Sequence, residues 1–101
     1  MMKKFISKHK TIMRTYFISY DLSEPGQNYD KLIHLIKSEY AWAKIGYSAF
    51  IVKTSLSHTE LRDKFKQALV SNDKLFVGAI SAPAAWYGLP DEVSKWLNNN
   101  L

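Results

Sequence analysis

Cysteine is absent from all 101 residues. That excludes a disulfide framework and a thiolate-ligated zinc site, and it is compatible with a reducing cytosol. No apolar run approaches the roughly 18–20 residues that span a bilayer. The N-terminus has only Phe5, Ile6, Ile12 and Met13 among polar residues, so no signal-peptide apolar region is present and a cytoplasmic address is the default expectation. There is no internal repeat, no low-complexity segment, no P-loop, no dinucleotide glycine fingerprint and no HExxH motif. Acidic residues are missing from the first fourteen positions, which carry Lys3, Lys4, Lys8, Lys10 and Arg14.

That last gap locates the charge. The chain has 14 Lys/Arg and 9 Asp/Glu, a formal net charge of +5. The tail accounts for the whole excess, and the body from Thr15 onward is neutral. Residues 1–14 therefore read as a basic N-terminal tail ahead of a domain over 15–101. The tail is either a solvated arm or a phosphate-contacting arm, whose attraction would be salt-sensitive and blind to sequence. Met13-Arg14-Thr15-Tyr16 also reads like a natural start, which would make the tail an upstream extension.

What is present is apolar and aromatic. Hydrophobic residues make up 47% of the chain, with three Trp, six Tyr and five Phe, enough for one modest core in one domain. Thr15-Tyr16-Phe17-Ile18-Ser19-Tyr20 is β-branched and aromatic and reads as a strand, with Asp21 at its end. Pro25-Gly26 punctuates the following loop, and Asn28 is positioned to cap a helix whose face is Tyr29, Leu32, Ile33, Ile36 and Tyr40. A short strand is expected around Trp42–Ile45 and another over Ser48–Thr54, close enough for an antiparallel hairpin. Ser57-His58-Thr59-Glu60 fits a capping box, followed by a helix with Leu61, Phe65, Ala68 and Leu69 on one face and an end at Ser71-Asn72-Asp73. Leu75–Ile80 is apolar enough to read as a strand buried on both faces. Pro90–Leu97 opens with Pro90, Asp91 and Glu92 and reads as a short final helix.

The order strand, helix, strand, strand, helix, strand is that of an α+β, ferredoxin-like βαββαβ domain. It predicts a four-stranded antiparallel sheet with two helices on one face and a short C-terminal helix. The second sheet face would be bare, and either a homodimer or the C-terminal segment is needed to cover it.

Chemistry-bearing residues are few. His34 and His58 read as packing or surface residues rather than ligands. RNA-recognition domains share this strand order, but the third strand, Ser48-Ala49-Phe50-Ile51-Val52-Lys53, lacks their Lys/Arg-Gly-aromatic pattern. Asp21 stands out. A carboxylate at the carboxyl end of a strand is placed to hold Mg²⁺, which often takes only one or two protein carboxylates, and Glu24 in the same loop is a candidate helper. The rival reading is a structural aspartate accepting amide hydrogen bonds in the turn.

Tyr16-Phe17-Ile18-Ser19-Tyr20-Asp21, Gly46-Tyr47-Ser48-Ala49-Phe50 and Asp73-Lys74-Leu75-Phe76-Val77 resemble the CRISPR-associated protein 2 superfamily. Tyr20-Asp21-Leu22 with Pro25-Gly26, and the closing Ala84-Ala85-Trp86-Tyr87-Gly88-Leu89, are similar to its SinR-like branch. The resemblance covers about Met13 to Leu101. It implies a ferredoxin-like fold and a homodimer with the two strand-end aspartates facing across the twofold axis. It also implies either a metal-dependent nuclease on RNA or double-stranded DNA, or a non-catalytic scaffold. Virulence-associated protein D-type toxins, with ribonuclease activity, are more distant relatives. Asp21 matches the family's metal-associated aspartate, making it the candidate catalytic and Mg²⁺-binding residue, with Tyr47 and Ser48 as auxiliary candidates. The neutral body departs from the basic surface of a duplex-DNA scaffold, and the tail is an addition to the family pattern. Two functions therefore stand side by side: a homodimeric Mg²⁺-dependent endonuclease, and a dimeric module that binds nucleic acid or protein without turnover.

Residues 1–12 have few apolar anchors, so deleting them should leave the melting temperature nearly unchanged. A loss of several degrees would show that Phe5 and Ile6 pack on the body. If the tail contacts phosphate, the same deletion weakens nucleic-acid binding and flattens its salt dependence.

Overall fold

β1 (Arg14–Asp21) is the strand on which the architecture turns. It is a central strand, and its side chains alternate between two environments. Tyr16, Ile18 and Tyr20 are buried in the main core, while Phe17 and Ser19 are half-buried and Asp21 is exposed on the opposite face. The computed structural model describes residues 12–23 and 27–101, leaving aside the side chains of Gln27 and Asn28. The four tail lysines and Glu24 lie outside that range.

After β1 come α1 (Gln27–Glu39), β2 (Ala41–Gly46), β3 (Ala49–Thr54), α2 (His58–Lys66), β4 (Lys74–Ala79) and α3 (Asp91–Asn100). The sheet order is β2-β3-β1-β4, and every neighbouring pair is antiparallel. This is the ferredoxin-like α+β fold expected from the element order. Leu32 and Ile36 of α1 and Leu61 and Phe65 of α2 are fully buried with Tyr16, Ile18, Phe50 and Val52 in one core. Phe65 stands edge-on to Tyr40 with centroids 5.7 Å apart. The Tyr16 phenol donates to the Leu56 carbonyl at 2.7 Å, so its hydroxyl is satisfied inside the core. No helix among the described residues is long and apolar enough to cross a membrane.

The capping box at α2 is present in full. The Glu60 amide donates to Ser57 Oγ at 3.2 Å, and the Ser57 amide donates to Glu60 Oε1 at 2.8 Å. Three boundaries differ from expectation. α1 begins at Gln27, so Asn28 lies inside the helix and not before it. α2 ends at Lys66, well short of Ser71. The chain there tightens into i→i+3 bonds, Gln67 to Lys64, Ala68 to Phe65 and Leu69 to Lys66, which use up carbonyls a longer helix would need. Arg14 pairs with Thr54 and belongs to β1, one residue ahead of the domain start read from composition.

β4 requires a larger correction. It is an edge strand, and it is not buried on both faces: Phe76 is 59% exposed. Its apolar content belongs to two half-occupied faces, which composition alone cannot distinguish from one fully enclosed strand.

The second face of the sheet is covered on one side only. α3 lies along β2, and its end is tied across the sheet. Thr15 Oγ1 donates to the Asn100 carbonyl at 3.0 Å, and Lys53 Nζ donates to Asn100 Oδ1 at 3.1 Å. Ala43 and Ile51 on this face are buried, as is Leu97 of α3. Among the described residues, nothing covers the β1/β4 half, where Phe76 is exposed.

Phe65 is fully enclosed, so Phe65→Ala should cost about 3–5 kcal/mol in urea denaturation. Ser57→Ala, which removes one capping bond at the surface, should cost about 1 kcal/mol. Comparable losses from the two would show that the core is not where stability resides.

Candidate functional site

The open half-face carries Phe17, Ser19 and Asp21 from β1, facing Gly78, Phe76 and Lys74 of β4 in register. The Phe17 and Phe76 rings lie 6.3 Å apart, tilted by 55°. Gly78 lets the Phe76 ring lie back along the strand, because a Cβ there would stand 2.7 Å from Phe76 Cε2. Below this aromatic pair, Ser19, Tyr20, Asp21, Lys74, Leu75 and Phe76 border an open depression of about 190 Å³.

Asp21 is exposed at the end of this row. Lys74 is its cross-strand partner, yet the ion pair among the described residues joins Arg62 to Asp63 and leaves Asp21 uncommitted. A solvent-facing carboxylate with a lysine across from it offers a hard anionic oxygen and a phosphate-directed cation side by side. Among the described residues, no three His, Cys, Asp or Glu side chains gather as a metal-binding group. One chain thus contributes one described carboxylate. That donor suits Mg²⁺ only as part of a set completed by water, phosphate or a second carboxylate.

The auxiliary candidates do not join Asp21. The Ser48 carbonyl accepts from the Tyr20 amide at 3.2 Å, so its backbone continues the sheet. Tyr47 is 85% exposed and its ring meets Tyr29 edge-on at 6.4 Å. Tyr29 in turn meets Tyr20 at 5.8 Å. These phenols sit on the helix side of the sheet, where burial first, then Tyr29 and Tyr47, push the Tyr20 pKa up to about 12. Among the described residues, the buried Tyr20 hydroxyl has no hydrogen-bond partner. His34 and His58 are both exposed on their helices. Arg14 is exposed at the far end of β1 from Asp21.

Sequence reading missed Lys74, Phe76 and Asp73. Asp73 braces the segment that follows Asp21. Its Oδ1 accepts from the Ser23 amide at 2.7 Å and from Ser23 Oγ at 2.9 Å, and its Oδ2 accepts from the Val70 amide at 2.8 Å. The Val70 amide, then Ser23, hold its carboxyl below the ordinary 3.8. Asp73 sits fifty residues from Ser23, so no local pattern signals the pairing; a turn aspartate was the only available hint.

No family model and no curated protein matches the chain. Two solved structures are similar to it. The hypothetical protein TT1823 from Thermus thermophilus is 23% identical with a TM-score of 0.61, covering 77% of this chain and 94% of that one. A domain of unknown function, DUF77, from Bacillus cereus is 13% identical with a TM-score of 0.50, covering 90% and 96%. Both likenesses concern the fold.

Because the folded carboxyl of Asp73 is the more acidic, its contribution to stability is complete above the unfolded value and is lost as pH falls through the folded one. Asp73→Ala should therefore unfold more easily than wild type at neutral pH, and the gap should close in strong acid. Amide exchange at Ser23 and Val70 should accelerate in the variant. Unchanged exchange at both would refute the brace.

Proposed function

We propose that the protein is a homodimeric, Mg²⁺-dependent phosphodiesterase that cleaves nucleic acid, assembled through the open β1/β4 half-face with Asp21 as its metal-binding carboxylate. The observation that carries this reading is Asp21 itself: an exposed, unpaired carboxylate at the end of an apolar row. Phe17 and Phe76 supply the surface that a second copy would bury. A twofold axis through that patch would bring two Asp21 side chains toward one another, giving two carboxylates where the described residues of one chain supply one. The resemblance to the CRISPR-associated protein 2 superfamily supports the same arrangement.

Bound Mg²⁺ would acidify a water and offset phosphate charge. Asp21 would hold and orient that ion, and Lys74 would draw the phosphate to the same end of the sheet. The neutral body and the apolar character of the half-face favour a second reading, a dimeric nucleic-acid or protein-binding assembly module without turnover.

Sedimentation at micromolar concentration should show a dimer, with an interface burying roughly 1,200–2,000 Å² in total. Asp21→Asn keeps the shape and removes the charge. It should lower Mg²⁺-dependent cleavage of RNA or DNA by orders of magnitude while the dimer persists. Two facing carboxylates repel when no metal separates them, so metal-free stability should hold or rise. Cleavage that survives the substitution eliminates Asp21 as the metal ligand. Absence of wild-type cleavage on both substrates selects the assembly module, and a monomer removes the premise of both readings.

A further inference from the structure

β4 ends the sheet, and its outer edge is unpaired among the described residues. The ladder with β1 fixes which backbone groups that edge presents. The Ile80 amide donates to the Thr15 carbonyl at 2.9 Å, so these two residues form a hydrogen-bonded pair. In an antiparallel ladder every second pair is of that kind. Phe17–Gly78, Ser19–Phe76 and Asp21–Lys74 follow in the same register. Gly78, Phe76 and Lys74 therefore direct their N–H and C=O groups to β1. Leu75, Val77 and Ala79 turn theirs away from the sheet. Natural edges are blunted by proline, by charges or by a bulge. β4 has no proline, a single charge at Lys74, and an unbroken register with β1.

Beside this edge lies a cleft of about 390 Å³. Arg62 and Lys66 of α2, Leu69 and Val70 of the turn after it, and Leu75 line it. Asp73 also borders it, with its carboxylate accepting from Ser23 and Val70. The cleft is on the helix side of the sheet. Leu75 and Val77 pack against the main core, whereas Phe76 meets Phe17 on the opposite face. A strand added to β4 would continue the same pleat. Its residues opposite Leu75 and Val77 would point to the helix side, and those between them to the side of Phe76. The helix side offers apolar surface at Leu69, Val70 and Leu75, with cations at its rim. Arg62 is paired with Asp63 at 3.0 Å, but no ion pair among the described residues engages Lys66 or Lys74. An added strand thus meets an unpaired lysine on each face, which favours an acidic one. The first fourteen residues of this chain, basic and without an acid, have the wrong sign for that rim.

We propose that the β4 edge takes an extended, acidic and apolar segment of another protein as a fifth strand. Its backbone would bond to Leu75, Val77 and Ala79, an apolar side chain would cover Leu69, Val70 and Leu75, and a carboxylate would reach Lys66. The outward backbone groups lie in the plane of the sheet and not on the face assigned to a second copy. This contact therefore rests on neither Asp21 nor dimerisation.

The test is amide exchange of the full chain, alone and with a blocked heptapeptide. One side-chain row of the peptide carries three valines and a glutamate, and the other carries threonines. In the free chain Leu75, Val77 and Ala79 should exchange fast, and Phe76 and Gly78 slowly. Millimolar peptide should slow the first three. N-methylation along the valine row, whose amides face β4, should abolish that protection. N-methylation along the threonine row should leave it. Lys66→Glu, at an exposed position, should weaken the peptide about fivefold and favour a version with lysine in place of glutamate. The proposal is overturned if the peptide protects none of the three amides, if both methylated peptides act alike, or if Lys66→Glu leaves the preference between the two peptides unchanged. It is equally overturned if the three amides are already slow in the free chain. Slow exchange that rises with protein concentration would assign the edge to a second copy, and slow exchange lost on deleting residues 1–12 would assign it to the tail.

Discussion

The two-sided burial of β1 is the constraint on which the other features depend. A central strand has neighbours on both edges, so its hydrogen bonds are complete and only its faces remain to be matched. Tyr16, Ile18 and Tyr20 fit one face, against α1 and α2, and that choice sends Phe17, Ser19 and Asp21 to the other. A slip by one residue would bury a carboxylate and expose three large core side chains. The same alternation that makes the core therefore forces Asp21 into solvent. It also separates Asp21 from Tyr20, whose buried phenol is adjacent in sequence and belongs to the opposite side of the sheet.

Two helices packed on one face leave the second face to be dealt with. α3 solves half of that problem. It covers the region of Ala43 and Ile51 and is tied to the sheet through Asn100, which accepts from Thr15 and Lys53. Trp86, bonded to Ser94, holds the preceding connection against the helix. The remaining half carries Phe17 and Phe76, a patch whose apolar area water solvates at a cost. Its neighbour Asp21 is thus exposed because covering stops short of it. A surface of this composition suits association more than ligand enclosure, which is why the proposed metal site draws on two chains.

Polar groups away from the open face are mostly tied down. The capping box fixes the entry to α2, and Asp73 joins the β1 exit to the α2–β4 turn by accepting from the Ser23 amide and hydroxyl, while its other oxygen closes the turn on the Val70 amide. These bonds anchor Ser23, two residues after Asp21, so the carboxylate projects from a backbone held on both sides. Lys37 and Lys44 are employed differently, their ammonium groups lying 4.7 Å and 5.9 Å from the centres of the Trp42 and Phe50 rings.

Local patterns settled more of this protein than its sites. The β-branched and aromatic run Thr15–Tyr20, the i, i+3, i+4, i+7 spacing of Tyr29, Leu32, Ile33 and Ile36, and Ser57 with Glu60 each express short-range physics, and each appears in the structure as an element or a cap. Asp21 was legible as a strand-end carboxylate for the same reason. Helix ends were less so: α2 stops at Lys66 because its last carbonyls are taken by tight turns, which apolar spacing does not register. β4 looked enclosed because Leu75–Ile80 is apolar, but strand position is a property of the sheet and not of six residues. Which lysine stands across from Asp21 and which aspartate braces Ser23 both depend on pairings between residues about fifty apart. The sequence by itself determined the order of the elements and the apolar faces of the first two helices, since these follow from backbone periodicity and local capping. Only the tertiary structure decided which faces meet and which stay open, because that depends on how far α3 reaches across a sheet it cannot fully cover.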